Sequence, residues 1–331
     1  MKIAIVKLSA MGDIIHTMVV LQFIKKNISN IQIDWIVEKS FQAILQNNPH
    51  INKILPIELK SIKKNKLNII NQIKLLNIYA KNNYDIVIDA QGLIKSAIVS
   101  KILGNRVVGS FIAGFDKNSI RESFASIFYD KTISIGYEKN VIDRNITLFN
   151  KILNLNITKD DILNKTAFLY TNAKLTLPKF DIIFIIGASK INKIYPKEKF
   201  LEIAQKLKHK TILVVWGNTE EYETALWLSN NSSNIILDKK GNIEELKYKI
   251  KYAKLVIGAD TGPTHIAWGL NIPSITIFGN TPEYRNTYLT HINKVVKSNS
   301  IVDPLKLDKN DFSIKDIDPN KIVNIANELL L

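Results

Sequence analysis

Four short stretches of this chain hold residues of the kinds that move protons or grip anions. The first is Leu8-Ser9-Ala10-Met11-Gly12-Asp13, which leads into an apolar helical pattern from Ile14. Asp13 stands where it can cap that helix, and it is also a carboxylate able to take a proton from a hydroxyl. Gly12 permits a tight turn or a close backbone approach. The second stretch, Gly187-Ala188-Ser189-Lys190-Ile191-Asn192-Lys193-Ile194-Tyr195-Pro196, combines small residues with lysines. Such a turn can embrace a phosphate, with hydroxyl and amides orienting it and an ammonium neutralising it, or it can be a solvated surface loop. The third, Trp216-Gly217-Asn218-Thr219-Glu220-Glu221, offers carboxylates that can accept bonds from ribose hydroxyls or favour the dipole of a helix start. The fourth, Gly258-Ala259-Asp260-Thr261-Gly262-Pro263-Thr264-His265, compresses Asp, Thr, Gly and His into a single turn. Gly262 leaves amides accessible and Pro263 suits a first helical turn, so this is a ready anion site; the alternative is a cap followed by a buried helix histidine.

A basic stretch adds a different kind of candidate. In Lys60-Ser61-Ile62-Lys63-Lys64-Asn65-Lys66, residues Lys60, Lys63 and Lys64 share one face if the segment is helical. That face is either a solvated charge run or a docking surface for an anionic acceptor, and Arg121 is a second candidate for the same role. The second half thus reads as a holder for a nucleotide diphosphate, and the first half offers Asp13. The glycine fingerprint of dinucleotide-binding folds is absent, which argues against a dehydrogenase or epimerase. No cluster of carboxylates suits a divalent metal, so a protein cation must do the neutralising.

These loops need strands before them and helices behind them. Short β-branched runs at 2–6, 32–37, 53–56, 85–90, 106–109 and 131–134 alternate with helical patterns, notably 14–26 and 62–80. A polar, weakly periodic segment at 151–176 marks a boundary, after which strand patterns restart at 182–186, 211–216, 235–237, 255–258 and 274–278. Helical patterns follow at 197–208, 220–228, 243–252, 263–269 and 319–330. Alternation of this kind specifies an α/β protein with parallel sheets covered by helices, here as two Rossmann-like βαβ domains, 1–165 and 175–331, facing across a cleft.

Composition limits the classes. With 331 residues and 46% hydrophobic content, the chain can build two cores. There is no cysteine, which excludes disulfides and thiolate metal sites and fits the cytoplasm. No apolar run approaches the roughly 18–20 residues that span a bilayer, and the apolar start is expected to be the first strand, not a leader. The net charge of +15 has three readings: a lysine-rich habit, attraction to an anionic membrane surface, or nucleic-acid binding. No nucleic-acid motif accompanies it, which sets the last reading aside.

The residues together resemble a known family. Lys7-Leu8-Ser9-Ala10-Met11-Gly12-Asp13 with His16-Thr17, Asp34-Trp35-Ile36-Val37-Glu38, Ile88-Asp89-Ala90-Gln91-Gly92-Leu93-Ile94-Lys95-Ser96, Arg121-Glu122 with Ala125-Ser126, and Asp260-Thr261-Gly262 with His265 are similar to the lipopolysaccharide heptosyltransferases of glycosyltransferase family 9. The similarity runs from residue 1 to about residue 285, and the first and third motifs point to type I over type II.

That resemblance implies a GT-B fold and inverting, metal-independent transfer from ADP-L-glycero-β-D-manno-heptose to a Kdo residue of Kdo2-lipid A, with no cofactor. Asp13 would be the general base, and Lys193 and Ser189 would hold the diphosphate. Glu221 would bind ribose. Asp260, Thr261 and Gly262 would contact donor sugar and phosphates with His265 close behind, and Ser9 and Gly12 would border the donor. Arg121 and the Lys60–Lys64 region (Lys60, Lys63, Lys64) would meet the acidic acceptor. The last helix, 319–331, would return to the first domain. A monomer is expected, peripheral and salt-sensitive on the cytoplasmic face of the inner membrane. Two departures stand out: Ile194-Tyr195-Pro196 replaces a His-Trp-Pro run, and lysines replace arginines, losing the bidentate fork.

Overall fold

The computed structural model describes residues 1–331 except the side chain of Lys63, so the role expected of Lys63 lies outside the described residues. The chain forms two compact units, Met1–Phe168 and Leu169–Leu331. In the first, β1 (Lys2–Val6) leads through α1 (Met11–Met18) and α2 (Val20–Asn27) to β2 (Gln32–Glu38), and α3 (Gln42–Leu45) leads to β3 (Lys53–Ile57). Then α4 (Ser61–Lys64) and α5 (Asn68–Ala80) precede β4 (Ile86–Asp89), α6 (Ile94–Leu103) precedes β5 (Phe111–Phe115), and β6 (Lys131–Ile133) is followed by α7 (Val141–Leu153) and α8 (Lys159–Leu163).

The second unit repeats the plan. Its order is β7 (Ile182–Ile185), α9 (Lys197–Lys206), β8 (Ile212–Val215), α10 (Thr219–Asn231), β9 (Ile235–Leu237), α11 (Ile243–Lys251), β10 (Leu255–Ala259), α12 (Gly262–Gly269), β11 (Ser274–Phe278), α13 (Glu283–Asn286), β12 (Asn293–Lys297) and α14 (Pro319–Leu329).

Both sheets are six-stranded and parallel. Their orders are β3-β2-β1-β4-β5-β6 and β12-β11-β10-β7-β8-β9, the doubly wound order in each case. Strands β4, β7, β8, β10 and β11 are buried along their whole length, as expected of Ile/Val-rich strands covered on both faces. Right-handed crossovers send the helices after β1 and those around β4 to opposite faces. Accordingly α1 and α2 pack with α7, while α5 packs with α6.

Four expectations are corrected. The strand expected at 106–109 is a turn. Asn105 and Gly109 adopt left-handed φ of 57° and 81°, Ser110 N donates to Val107 O, and the strand begins at Phe111 instead. The helix expected over 62–80 is broken because the Asn65 side chain accepts the Leu67 amide at 3.0 Å, competing with the helical bond. The helix expected from 14 starts at Met11, and a second begins at Val20. The last helix, expected to return to the first domain, is part of the second unit: Ile322, Val323 and Ala326 lie in that unit's own core, and α14 packs on α9, β11 and β12.

Candidate functional site

In the first unit the centre of the sheet is the β1/β4 boundary, where the winding reverses and the loops after the two strands come together. Gln91 ties them. Its Oε1 accepts the amides of Leu8 and Ser9, both at 3.1 Å, and Lys7 Nζ donates to Ala90 O at 2.9 Å. The Gln91 turn is itself held by buried Asp89, whose Oδ1 accepts the amides of Gln91 (2.8 Å) and Gly92 (3.1 Å) and whose Oδ2 accepts the Tyr129 hydroxyl (2.8 Å). Burial pushes the Asp89 carboxyl up, against these bonds. Gly92 has φ +72°, and a Cβ there would lie 2.6 Å from Ile120 Cγ2, so glycine is required on both counts.

The loop so anchored delivers Ser9, Gly12 and Asp13. The N-cap of α1 is Ala10, which has no side-chain acceptor, and Asp13 is the third helical residue. Asp13 therefore does not cap from the N-cap position; its Oδ2 reaches back to the Ala10 amide at 3.3 Å. Among the described residues Oδ1 has no hydrogen-bond partner. Gly12 is helical and does not use the left-handed region.

The candidate acceptor cations sit elsewhere in this unit. Glu38 holds their loop, its carboxylate accepting the amides of Leu59 and Lys60, each at 3.2 Å. Lys60 lies before the single-turn α4, not within it, and its Nζ sits 4.9 Å from the Phe41 ring centroid. Lys64 and Arg121 are exposed. Beside Arg121, the Glu122 carboxylate accepts the Ile94 amide at 2.7 Å and so caps α6.

In the second unit the equivalent boundary is β7/β10, and here the candidates converge on Asp260. Its Oδ2 accepts from Lys193 Nζ (2.7 Å), Thr281 Oγ1 (2.8 Å) and Asn286 Nδ2 (3.4 Å), while Oδ1 meets His265 Nε2 at 3.1 Å. Lys193 also donates to Asp260 O at 3.1 Å. Burial works to raise the Asp260 pKa, but the Lys193 charge and the His265 bond win and hold it far below the usual carboxylate range.

Next to this cluster α12 begins at Gly262. Thr261 is the N-cap but its hydroxyl makes no cap bond; Pro263 has no N–H and the Thr264 and His265 amides turn back to Thr261 O (3.1 and 3.3 Å), so the Gly262 amide and the positive end of the helix are what this start offers an anion. Gly258 makes the packing possible: a Cβ there would lie 2.6 Å from both Ile185 Cβ and Thr264 Oγ1.

Glu221 and Ser189 stand apart from the cluster. The Glu221 carboxylate accepts Gly217 N (2.7 Å) and Asn218 Nδ2 (2.9 Å), closing its own loop, while Asn218 caps α10. It also overhangs the loop after β7, since a Cβ on Gly187 would fall 2.0 Å from Glu221 Oε1. Ser189 is exposed. Thr281 and Asn286 are not among the expected site residues, and Gln91 is expected only as part of a family motif with no role of its own. The signal that could have found Thr281 is topological: it follows β11, the strand beside β10.

Residues 74–310 match the model of glycosyltransferase family 9 (heptosyltransferase). The chain is 41% identical to lipopolysaccharide heptosyltransferase 1 of Campylobacter coli over 348 aligned residues, covering 99% of each protein. It is 29% identical to lipopolysaccharide heptosyltransferase 1 of Escherichia coli K12, covering 85% of this chain and 88% of that one. In fold it is similar to the E. coli heptosyltransferase WaaC solved with ADP-2-deoxy-2-fluoro heptose, with a TM-score of 0.80, 24% identity and 99% of each chain covered.

Proposed function

The chain belongs to glycosyltransferase family 9, and from that premise we propose that it transfers L-glycero-D-manno-heptose from ADP-heptose to a Kdo residue of Kdo2-lipid A in lipopolysaccharide inner-core assembly. The observation that carries the donor assignment is the Lys193–Asp260–His265 cluster beside the uncapped start of α12. A partly buried cation beside a helix start at the carboxyl end of a doubly wound sheet suits a diphosphate.

In this reading Asp13 Oδ1 takes the proton as the acceptor oxygen bonds to the anomeric carbon. The bond from that carbon to the diphosphate oxygen breaks on the opposite face, inverting the centre, and ADP leaves with the electron pair. Lys193 and the α12 start at Gly262 stabilise the charge that develops on the leaving diphosphate, which is stabilisation specific to the transition state. Asp260 holds Lys193 in place, and Ser189, Thr261 and Gly262 line the donor. Glu221 exchanges its loop amides for ribose hydroxyls. No bound metal is required, so transfer should persist in chelator. Lys60, Lys64 and Arg121 meet the acidic acceptor. The enzyme acts as a monomer in the cytoplasm, attached peripherally to the anionic inner-membrane surface; among the described residues no helix is long and apolar enough to cross a membrane.

Mass spectrometry of Kdo2-lipid A after incubation with ADP-heptose tests the reaction. The expected product is heavier by one heptose; intact ADP-heptose would overturn the donor assignment, and donor consumed without that product would overturn the acceptor. Asp13→Asn tests the base, because the amide oxygen still accepts the Ala10 N–H. Turnover should fall roughly 10²–10⁴-fold with ADP binding unchanged. Equal loss of stability and ADP affinity would instead make Asp13 a helix-start residue.

A further inference from the structure

The first unit turns an unusual helical face to solvent. α5 buries Gln72, Leu76 and Ala80, yet Leu67, Ile69, Ile70, Ile73 and Ile78 are 42–69% exposed. At about 100° per residue, Ile70, Lys74, Leu67 and Ile78 fall directly opposite Gln72 and Leu76, where a surface helix normally carries polar residues. α6 packs beside α5 and exposes Ile98, and the 3₁₀ turn Ser123–Phe128 packs beside α6 with Phe124 and Ile127 about two-thirds exposed. Three adjacent elements thus present apolar side chains on one side of the sheet.

The charge on this face has one sign. From Leu59 to Tyr84 there are six lysines and no carboxylate, and α6 adds Lys95 and Lys101 with no acid. The acid at the edge, Glu122, is engaged with the Ile94 amide. Lys74 stands among the isoleucines of α5 and Lys95 and Lys101 lie on α6, while Lys60, Lys64, Lys66 and Lys81 flank α5 at its two ends. Lysine stems can lie along apolar surface while their ammonium groups reach for anions.

We propose that α5, α6 and the 3₁₀ turn form a docking face for an anionic lipid bilayer, with the apolar side chains entering the headgroup–acyl boundary and the lysines lying among lipid phosphates. The proposal rests on the reading of this chain as a peripheral enzyme with a lipid acceptor. It adds the face, and an apolar anchor beside the electrostatic one. A second copy of the chain is a poor occupant, since it would set one row of lysines against another. The placement suits the acceptor too: Lys60 and Lys64 bracket the single turn of α4 that leads into α5, and Arg121 lies two residues before the 3₁₀ turn.

The test is co-sedimentation of the full chain with phosphatidylglycerol–phosphatidylethanolamine vesicles, with phosphatidylcholine vesicles as the neutral control. Wild type should bind the anionic vesicles, and a high-salt wash should leave a fraction attached. The pair Ile70→Asn and Ile73→Asn, at solvent-facing positions, should lower partitioning on the order of tenfold or more and make the remainder fully salt-releasable. Melting temperature and ADP affinity should not change. Lys74→Glu should weaken binding at low salt only. Wild-type failure to bind, or unchanged binding by the isoleucine pair, overturns the proposal. So does gel filtration that finds wild type dimeric and the pair monomeric, which would make a second copy the occupant. Vesicle binding without heptose transfer would count against the transferase reading and leave the face standing.

Discussion

Asp260 is ionised in a place that would expel a lone carboxylate. Burial alone raises its pKa; Lys193 and His265 reverse the outcome, and Thr281 and Asn286 add hydrogen bonds to the same carboxylate. Because the folded state holds its pKa below the unfolded value of about 3.9, its stabilising contribution is complete above that value and is lost as pH falls towards the folded pKa. Asp260→Asn should therefore lower stability by about 3–5 kcal/mol near neutrality, the usual cost of leaving a buried partner uncompensated. The gap from wild type should stay level down to pH of about 5 and shrink below about 4. Thermal melts of both proteins across that range check it, and a gap that widens with acid would contradict it. The Asp, Lys and His of this cluster were legible in the sequence because strand-then-glycine patterns mark loops that face ligands. Thr281 was not, because it lies 21 positions from Asp260 in the chain and becomes a neighbour only when β11 pairs with β10. Gln91 was visible as part of a motif, but its work is done through two amides 82 and 83 positions away, which no local pattern encodes.

Apolar runs place several strands closely, including the half-buried β9, expected and found at 235–237. The fully buried β11 has the bounds its apolar run suggests, and β7, β8 and β10 lie within a residue or two of theirs. Errors gathered where a single side chain or left-handed residue overrides periodicity, as at Asn65 and at the Asn105–Gly109 turn. The half-buried β12 carries lysines at Lys294 and Lys297 and gives only a weak apolar signal, so it went unread. Glycine in a strand normally weakens it, yet β10 keeps Gly258, and the reason is the approach of β7 and α12. Gly258→Ala would place its Cβ 2.9 Å from Ile185 O, a backbone atom that cannot swing away. This variant should lose about 1–3 kcal/mol and also weaken ADP binding, because the displaced junction carries Asp260. Gly217→Ala is the control: its Cβ would lie 3.4 Å from a flexible Glu221 oxygen, and its melting temperature should be near wild type. Equal effects of the two substitutions in a melt would refute the packing account.

At the scale of the molecule, each unit closes its own core and carries its own set of candidates. The second unit's core draws on residues from Ile182 to Ala326, and Thr171 Oγ1 bonds Glu244 O at 3.0 Å near its start. Lys193, Glu221, Asp260, Thr261, Gly262 and His265 all belong to this unit, whereas Ser9, Gly12, Asp13 and the acceptor cations belong to the other. If the donor is held chiefly by the second unit, residues 169–331 expressed alone should fold cooperatively and bind ADP within about tenfold of the full chain, a difference of about 1.4 kcal/mol. That fragment should transfer no heptose, since the proposed base is missing. Residues 1–168 alone should bind no ADP, yet should still sediment with anionic vesicles through α5 and α6. Calorimetric titration of ADP into the two fragments checks the division. A loss far beyond tenfold in a fragment that melts cooperatively would move donor affinity onto Ser9 and Gly12, and the second unit would then be a platform for the diphosphate that is incomplete without the first.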